Sequence, residues 1–176
     1  HLYTILTSRG CPYNCKFCSV TKFFGKEYRF RSAENIVEEL KQNKIKSVVF
    51  YDDNFNVNNN RLLDLLNKIK EEITIPKGWF AQVRTNIIKD KKVLKLLSDT
   101  NCKILFTGFE TIFNNNLKNY NKLQTLKDIK NFIKNIHDYG IKIWGSFVLG
   151  DHDTDETINK NVEFWWKNDI DAINYC

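Results

Sequence analysis

An α/β fold built on a parallel sheet is predicted for this 176-residue chain. Two observations predict it. Short apolar, β-branched runs alternate with amphipathic stretches, and the alternation repeats every 30–40 residues or so, the size of a strand–helix unit. No Pro/Gly/Ser-rich segment divides the series, so residues 1–176 read as one domain. Periodicity alone leaves a doubly wound sheet and a barrel equally open.

Residues 2–8 (LYTILTS) read as the first strand. A cysteine loop follows. Ser32 caps a helix with Glu34 in its first turn, and Ile36, Val37 and Leu40 form its apolar stripe. Residues 47–52 (SVVFYD) form an apolar run ending in acid, as buried parallel strands do. Residues 61–72 form the second helix, with Leu62, Leu63, Leu65, Leu66 and Ile69 on its buried side. Pro76 and Gly78 stop it, and residues 79–85 make the third strand. A short helix over 91–97 leads to the fourth strand, 103–109. The helix over 123–139 closes with Gly140 at a C′ position. Residues 141–149, 156–167 and 171–175 complete the series as strand, helix and the start of a sixth strand.

Hydrophobic residues make up 42% of the chain and charged residues 27%, which excludes wholesale disorder. The apolar runs over 47–51 and 143–149 fall far short of the roughly 20 residues that span a bilayer, so no membrane span or secretory signal is expected. The net charge is +6. Most lysines lie one helical turn from Glu, Asp or Asn, the pattern of solvated helix faces, so nucleic-acid binding is disfavoured. The chain has no Met, begins at His1 and stops at Asn174-Tyr175-Cys176. A piece of a longer protein is the expectation, and alone it should be a marginally stable, aggregation-prone core with an uncovered sixth strand.

Ligands of parallel α/β folds bind at the carboxyl ends of the strands. Each strand delivers polar groups there: Cys11, Cys15 and Cys18, then Asp52, Asp53 and Asn54, then Gln82, Arg84 and Asn86 at alternate positions, then Glu110, and finally Ser146 and Gly150. The alternation places Gln82, Arg84 and Asn86 on one face. A buried Arg84–Glu110 ion pair is the structural alternative to ligand binding. The five cysteines include three within eight positions, too close to pair as structural bridges. That usage suits a reducing, cytoplasmic compartment, where clustered thiols mean metal or catalysis. Three thiolates on a four-iron cluster leave one iron open for a ligand. A zinc site with Cys102 or Cys176 as fourth ligand is the alternative, disfavoured because no second close Cys pair exists. The stretch 22–31 interleaves bases and aromatics; its expected form is a loop packing its Phe residues over the cluster, and nucleotide stacking is the alternative.

The segment Ser8-Arg9-Gly10-Cys11-Pro12-Tyr13-Asn14-Cys15-Lys16-Phe17-Cys18-Ser19-Val20 closely resembles the signature of the radical S-adenosylmethionine (radical SAM) superfamily, and the later strand ends match in order. The resemblance implies a partial (β/α)6, TIM-like barrel. It implies a 4Fe–4S cluster on Cys11, Cys15 and Cys18, and SAM chelating the open iron. Reductive cleavage of SAM would yield a 5′-deoxyadenosyl radical, with the electron supplied by flavodoxin or ferredoxin. Phe17 matches the aromatic beside the adenine. The family's Gly-Gly-Glu is replaced by Asp52-Asp53-Asn54-Phe55, so Asp53 or Asp52 would meet the SAM amino group. Arg84 would fork the carboxylate, and Glu110 would reach the ribose or the amine. The family's Gly-x-Ile-x-Gly-x-x-Glu appears as Ser146-x-Val148-x-Gly150-x-x-Asp153, with Val148 as the adenine platform. The branch most resembled is the cobalamin-binding one, many of whose members transfer methyl groups; its cobalamin domain would precede His1. The alternatives are a methylthiotransferase acting on tRNA or a ribosomal protein, and a non-catalytic iron–sulfur protein.

Overall fold

The computed structural model describes residues 2–43, 45–150 and 153–176. Six parallel strands form the main sheet: β1 (Leu2–Ile5), β4 (Ser47–Phe50), β5 (Trp79–Val83), β6 (Cys102–Glu110), β7 (Lys142–Phe147) and β8 (Ala172–Tyr175). Their spatial order is β1-β4-β5-β6-β7-β8, the order of the chain. A doubly wound sheet reverses its order at a switch point; this one never does. Burial agrees. Val48 and Phe50, Trp79, Ala81 and Val83, Leu105 and Thr107, and Ile143 are all buried, while Val49, Phe80, Gln82, Phe106 and Trp144 between them are not. Successive strand residues face opposite sides, so helices cover one face only. The architecture is the partial barrel, open on its inner side.

The helices begin where their caps put them. Ser32 accepts from the Asn35 amide at 3.2 Å and starts α2 (Ala33–Gln42), which buries Ala33, Ile36, Val37 and Leu40. Asn58 caps α3 (Asn59–Glu72), and Asp90 caps α4 (Lys91–Asp99). Capping boxes open α6 (Leu126–Asp138) through Thr125 and Asp128, and α7 (Asp155–Lys167) through Thr154 and Thr157. The helix expected from residue 123 therefore starts at Leu126, because Leu123 itself has a left-handed backbone (φ 55°). Gly140 ends α6 at φ 70°, as expected of a C′ glycine. Phe50 stacks on Phe55 at 4.9 Å between centroids, and Trp79 meets both rings edge-on or tilted at 5.3 and 5.8 Å, anchoring the core.

Three local readings are corrected. The first strand does not run to residue 8. It stops at Ile5, and Ser8–Arg9 (β2) pairs antiparallel with Arg29–Phe30 (β3). The cause is Asp52: its carboxylate accepts the amides of Thr7 (2.8 Å) and Ser8 (2.5 Å) and pulls them out of the sheet. The stretch 22–31 contributes to a short helix, α1 (Val20–Phe24), and to β3. Its Phe residues do not pack over the cysteines, since Phe23 is 80% exposed. The third strand ends at Val83, and a 3₁₀ turn (Thr85–Lys89) turns Asn86 away to meet Asn56 at 3.1 Å.

Candidate active site

The cysteine loop leaves β2 at Gly10 and is held at several points. Gly10 has φ +86°, and a Cβ there would sit 2.2 Å from the Glu27 carbonyl oxygen, so only glycine fits. Its amide donates to Asp53 (3.0 Å). Lys16 donates its amide to the Tyr120 carbonyl (3.0 Å), Asn121 donates to the Asn14 carbonyl (2.8 Å), and Thr21 donates to the Tyr13 carbonyl (2.7 Å). These bonds tie the loop to the ends of β4 and of α5 (Asn114–Asn119).

Cys11, Cys15 and Cys18 line one cavity of about 260 Å³ at the carboxyl end of the sheet. Phe17, Asp53, Asn54, Arg84, Glu110, Ser146 and Val148 line it too. Two further predicted residues do not. Asp52 is 2% exposed, and its oxygens are taken by the Thr7 amide and hydroxyl and by the Ser8 amide. Burial pushes its carboxyl up, against the opposing pull of the Thr7 and Ser8 bonds and of Arg61. Arg61, itself buried, donates to the Thr7 carbonyl (3.0 Å) and to the Tyr28 hydroxyl (3.2 Å). Asp52 thus anchors the loop from behind. Gly150 donates its amide to Asp153 (2.8 Å) and lies outside the cavity wall.

Glu110 and Arg84 do not pair with each other. A register shift between Gly108 and Glu110 bends the end of β6, and Glu110 adopts φ 64°. This turns its side chain to Lys122, with which it forms a buried ion pair. A Cβ on Gly108 would lie 2.0 Å from the Glu110 carboxylate, so the glycine makes room for the pair. Arg84 stacks over the Tyr13 ring at 3.9 Å, reaches Cys15 Sγ at 3.5 Å and donates to the Lys122 carbonyl. Lys122 was invisible to pattern reading: it lies in a loop rich in Asn and Lys, and only the bent strand end brings it to the site. Tyr13 carries no such signal either, whereas Gln82 lines the cavity beside Arg84, as its place on that strand face predicts.

The donor set suits an iron–sulfur cluster. A cubane's thiolates bind different irons, so they need one cavity rather than one point. Among the described residues no three His, Cys, Asp or Glu side chains gather around a single ion position. Burial pushes the Cys11 thiol up, while the Tyr13 amide, Asn54 (3.9 Å from its sulfur) and Arg84 favour its thiolate. Asn54 Oδ1 is buried without a hydrogen-bond partner, an acceptor left for a ligand. Cys102 is buried at the start of β6, the opposite end of the strand from the cavity, and burial holds its thiol well above the usual range. It is no fourth ligand. Cys176 lines the cavity, 3.6 Å from Ser146 Oγ.

Residues 5–164 match the family model described as "Radical SAM superfamily". The chain is 34% identical over 176 residues to an uncharacterised methyltransferase, PH0819, of Pyrococcus horikoshii, covering 97% of this chain and 38% of that protein. It is 26% identical over 178 residues to bacteriochlorophyllide d C-12(1)-methyltransferase of Chlorobaculum tepidum, with the same coverage, 97% and 38%. The chain thus spans well under half the length of these curated relatives. Its fold matches the radical S-adenosylmethionine methyltransferase TsrM of Kitasatospora setae with a TM-score of 0.87 at 20% identity, over 99% of this chain and 35% of that one. The cysteine cavity, the singly wound sheet and the family match agree: this chain belongs to the radical SAM superfamily of enzymes.

Proposed function

We propose that this chain is the cluster- and SAM-binding core of a cobalamin-dependent radical SAM methyltransferase. The observation that carries the first half is the convergence of Cys11, Cys15 and Cys18 with Asp53, Asn54, Arg84, Glu110 and Lys122 on one cavity wall. Cys11, Cys15 and Cys18 hold the cluster. When bound, the cluster supplies the electron that cleaves SAM. Asp53 and Asn54 Oδ1 face the SAM ammonium. Arg84 and Lys122 present positive charge to its carboxylate, and Arg84 is already oriented by Tyr13 and the Lys122 carbonyl. Glu110 sits beside them for the ribose or the amine. Phe17 and Val148 offer apolar surface to the adenine. Asp52 and Gly150 act behind this layer, in shaping the loops.

Methyl transfer is inferred from the similarity to the methyltransferases of Pyrococcus horikoshii and Chlorobaculum tepidum. Cobalamin, in this reading, is held by a segment outside this chain, and a flavodoxin- or ferredoxin-type protein reduces the cluster. Among the described residues no helix is long and apolar enough to cross a membrane. The test uses the full-length protein with reduced cluster and SAM labelled in its methyl group. Addition of SAM should change the electron paramagnetic resonance spectrum of the reduced cluster, and label should pass to protein-bound cobalamin. An unchanged spectrum removes the SAM site; a changed spectrum with no cobalamin bound removes the methyltransferase branch.

A further inference from the structure

The open inner face of the sheet carries a second cavity, and we propose that it seats a planar, largely apolar ring system as the substrate. This rests on the proposed function for its chemistry but not for its existence. Phe80 on β5, Phe106 on β6 and Trp144 on β7 stand side by side on that face, with centroids 6.5, 5.6 and 6.2 Å apart. Closed barrels fill this interior with layers of branched aliphatic side chains. Here the rings bound a space of about 490 Å³ together with Tyr51, Gln82 and Asp53, within the range of roughly 300–1,000 Å³ typical of small-molecule sites. Trp144 is 39% exposed and Tyr51 69%, so the face offers unburied aromatic surface. The indole is held in place by its Nε1–H, which donates to Asn174 (3.1 Å).

The occupant is inferred from what the cavity adjoins. Asp53, Gln82 and Phe106 belong to its wall and also to the wall of the cysteine cavity. A molecule lying on the three rings therefore extends toward the cluster side with Asp53 and Gln82 at its leading edge. Gln82 is fixed there by donating to the Asp53 carbonyl (3.1 Å). Aromatic pairs favour offset or edge-on contact at 4.5–7 Å between centroids, and three rings at mutual angles of 50–83° provide both kinds to a flat guest. The carboxylate of Asp53 selects a neutral or cationic leading edge over an anionic one. The site thus takes a flat, drug-sized ring molecule, apolar over its faces and not anionic at the end that reaches the cluster cavity.

The test uses full-length protein and 1-pyrenemethanol as a flat, neutral probe, followed by energy transfer from tryptophan. Saturable binding is expected. Trp144→Ala and Phe106→Ala should each weaken it about tenfold, the loss of one stacking partner, while Trp144→Phe, which keeps a ring, should lie within about threefold of the parent. Melting by circular dichroism identifies any variant that fails to fold, and the Phe variant then decides. No saturable binding, as when another segment of the protein fills the face, overturns the proposal. So does binding indifferent to both alanine variants, or a dimer that Trp144→Ala dissociates. Probe binding with no cluster in the parent would count against the proposed function alone; cluster and SAM binding with no probe binding would count against this site alone.

Discussion

Replacing Lys122 by methionine leaves the Glu110 carboxylate, with only 5% of its side chain exposed, without its counter-charge. Stripping one partner from a buried ion pair costs about 3–5 kcal/mol, because the other charge stays desolvated. Glu110→Gln should cost a similar amount, since the Lys122 side chain is only 9% exposed. The double variant Glu110→Gln/Lys122→Met removes both charges at nearly constant volume. It should be within about 1–2 kcal/mol of the parent, because hydrophobic replacement of a buried pair is commonly neutral or better. Urea unfolding reads this directly. With a slope of about 2 kcal/mol per molar urea, each single variant should shift the midpoint down by roughly 1.5–2.5 M. A coupling energy of several kcal/mol follows from the cycle. Single losses below about 1 kcal/mol, or a double loss equal to their sum, would show that the pair is not the buried, mutually dependent unit described here. The same single variants should weaken SAM binding by about 1–3 kcal/mol each, the range for a lost hydrogen bond to a charged group.

Asp52→Ala should destabilise the protein by about 3 kcal/mol in the same assay, because buried amides of Thr7 and Ser8 lose their acceptor and Arg61 its neighbouring charge; a loss under about 1 kcal/mol would deny Asp52 its anchoring role. Acid unfolding should implicate Asp99, whose carboxyl is held below its usual range by hydrogen bonds first from Lys70 and then from Lys95. A depressed folded value means that its contribution is present above about pH 3.9 and is lost as pH falls through the folded value. Asp99→Asn should therefore flatten the stability profile below about pH 4, and an unchanged slope there would refute the assignment.

Much of the fold was legible because its cause is local. Leu62, Leu65, Leu66 and Ile69 recur at helical spacing and are buried together. Ser32 caps where it was expected, and Gly140 takes the left-handed turn. The lysine pattern was equally local: Lys134–Asp138, Lys160–Glu156 and Lys167–Glu163 are exposed pairs one helical turn apart. Strand order separated barrel from doubly wound sheet, and no period in the sequence encodes that order. The departures at Asp52 and Glu110 share one physical origin, side chains acting across the chain. Asp52 takes amides 44 and 45 residues away and ends the first strand early. Glu110 pairs with Lys122 rather than Arg84 because the strand end bends, and the bend depends on the neighbouring strand's register. Residue types at the strand ends nonetheless identified most of the cavity wall, since a parallel sheet brings its carboxyl ends together whatever the details.

Anaerobic reconstitution with iron and sulfide tests the central claim most directly. The parent chain should take up about four iron and four sulfide per molecule, with the charge-transfer absorption of a cubane cluster. Cys11→Ala, Cys15→Ala and Cys18→Ala should each abolish it, while Cys102→Ala, buried at the far end of β6, and Cys176→Ala should retain it. Stoichiometric zinc in place of iron, or a cluster that survives loss of any of the first three thiols yet fails with Cys102→Ala or Cys176→Ala, would contradict the account.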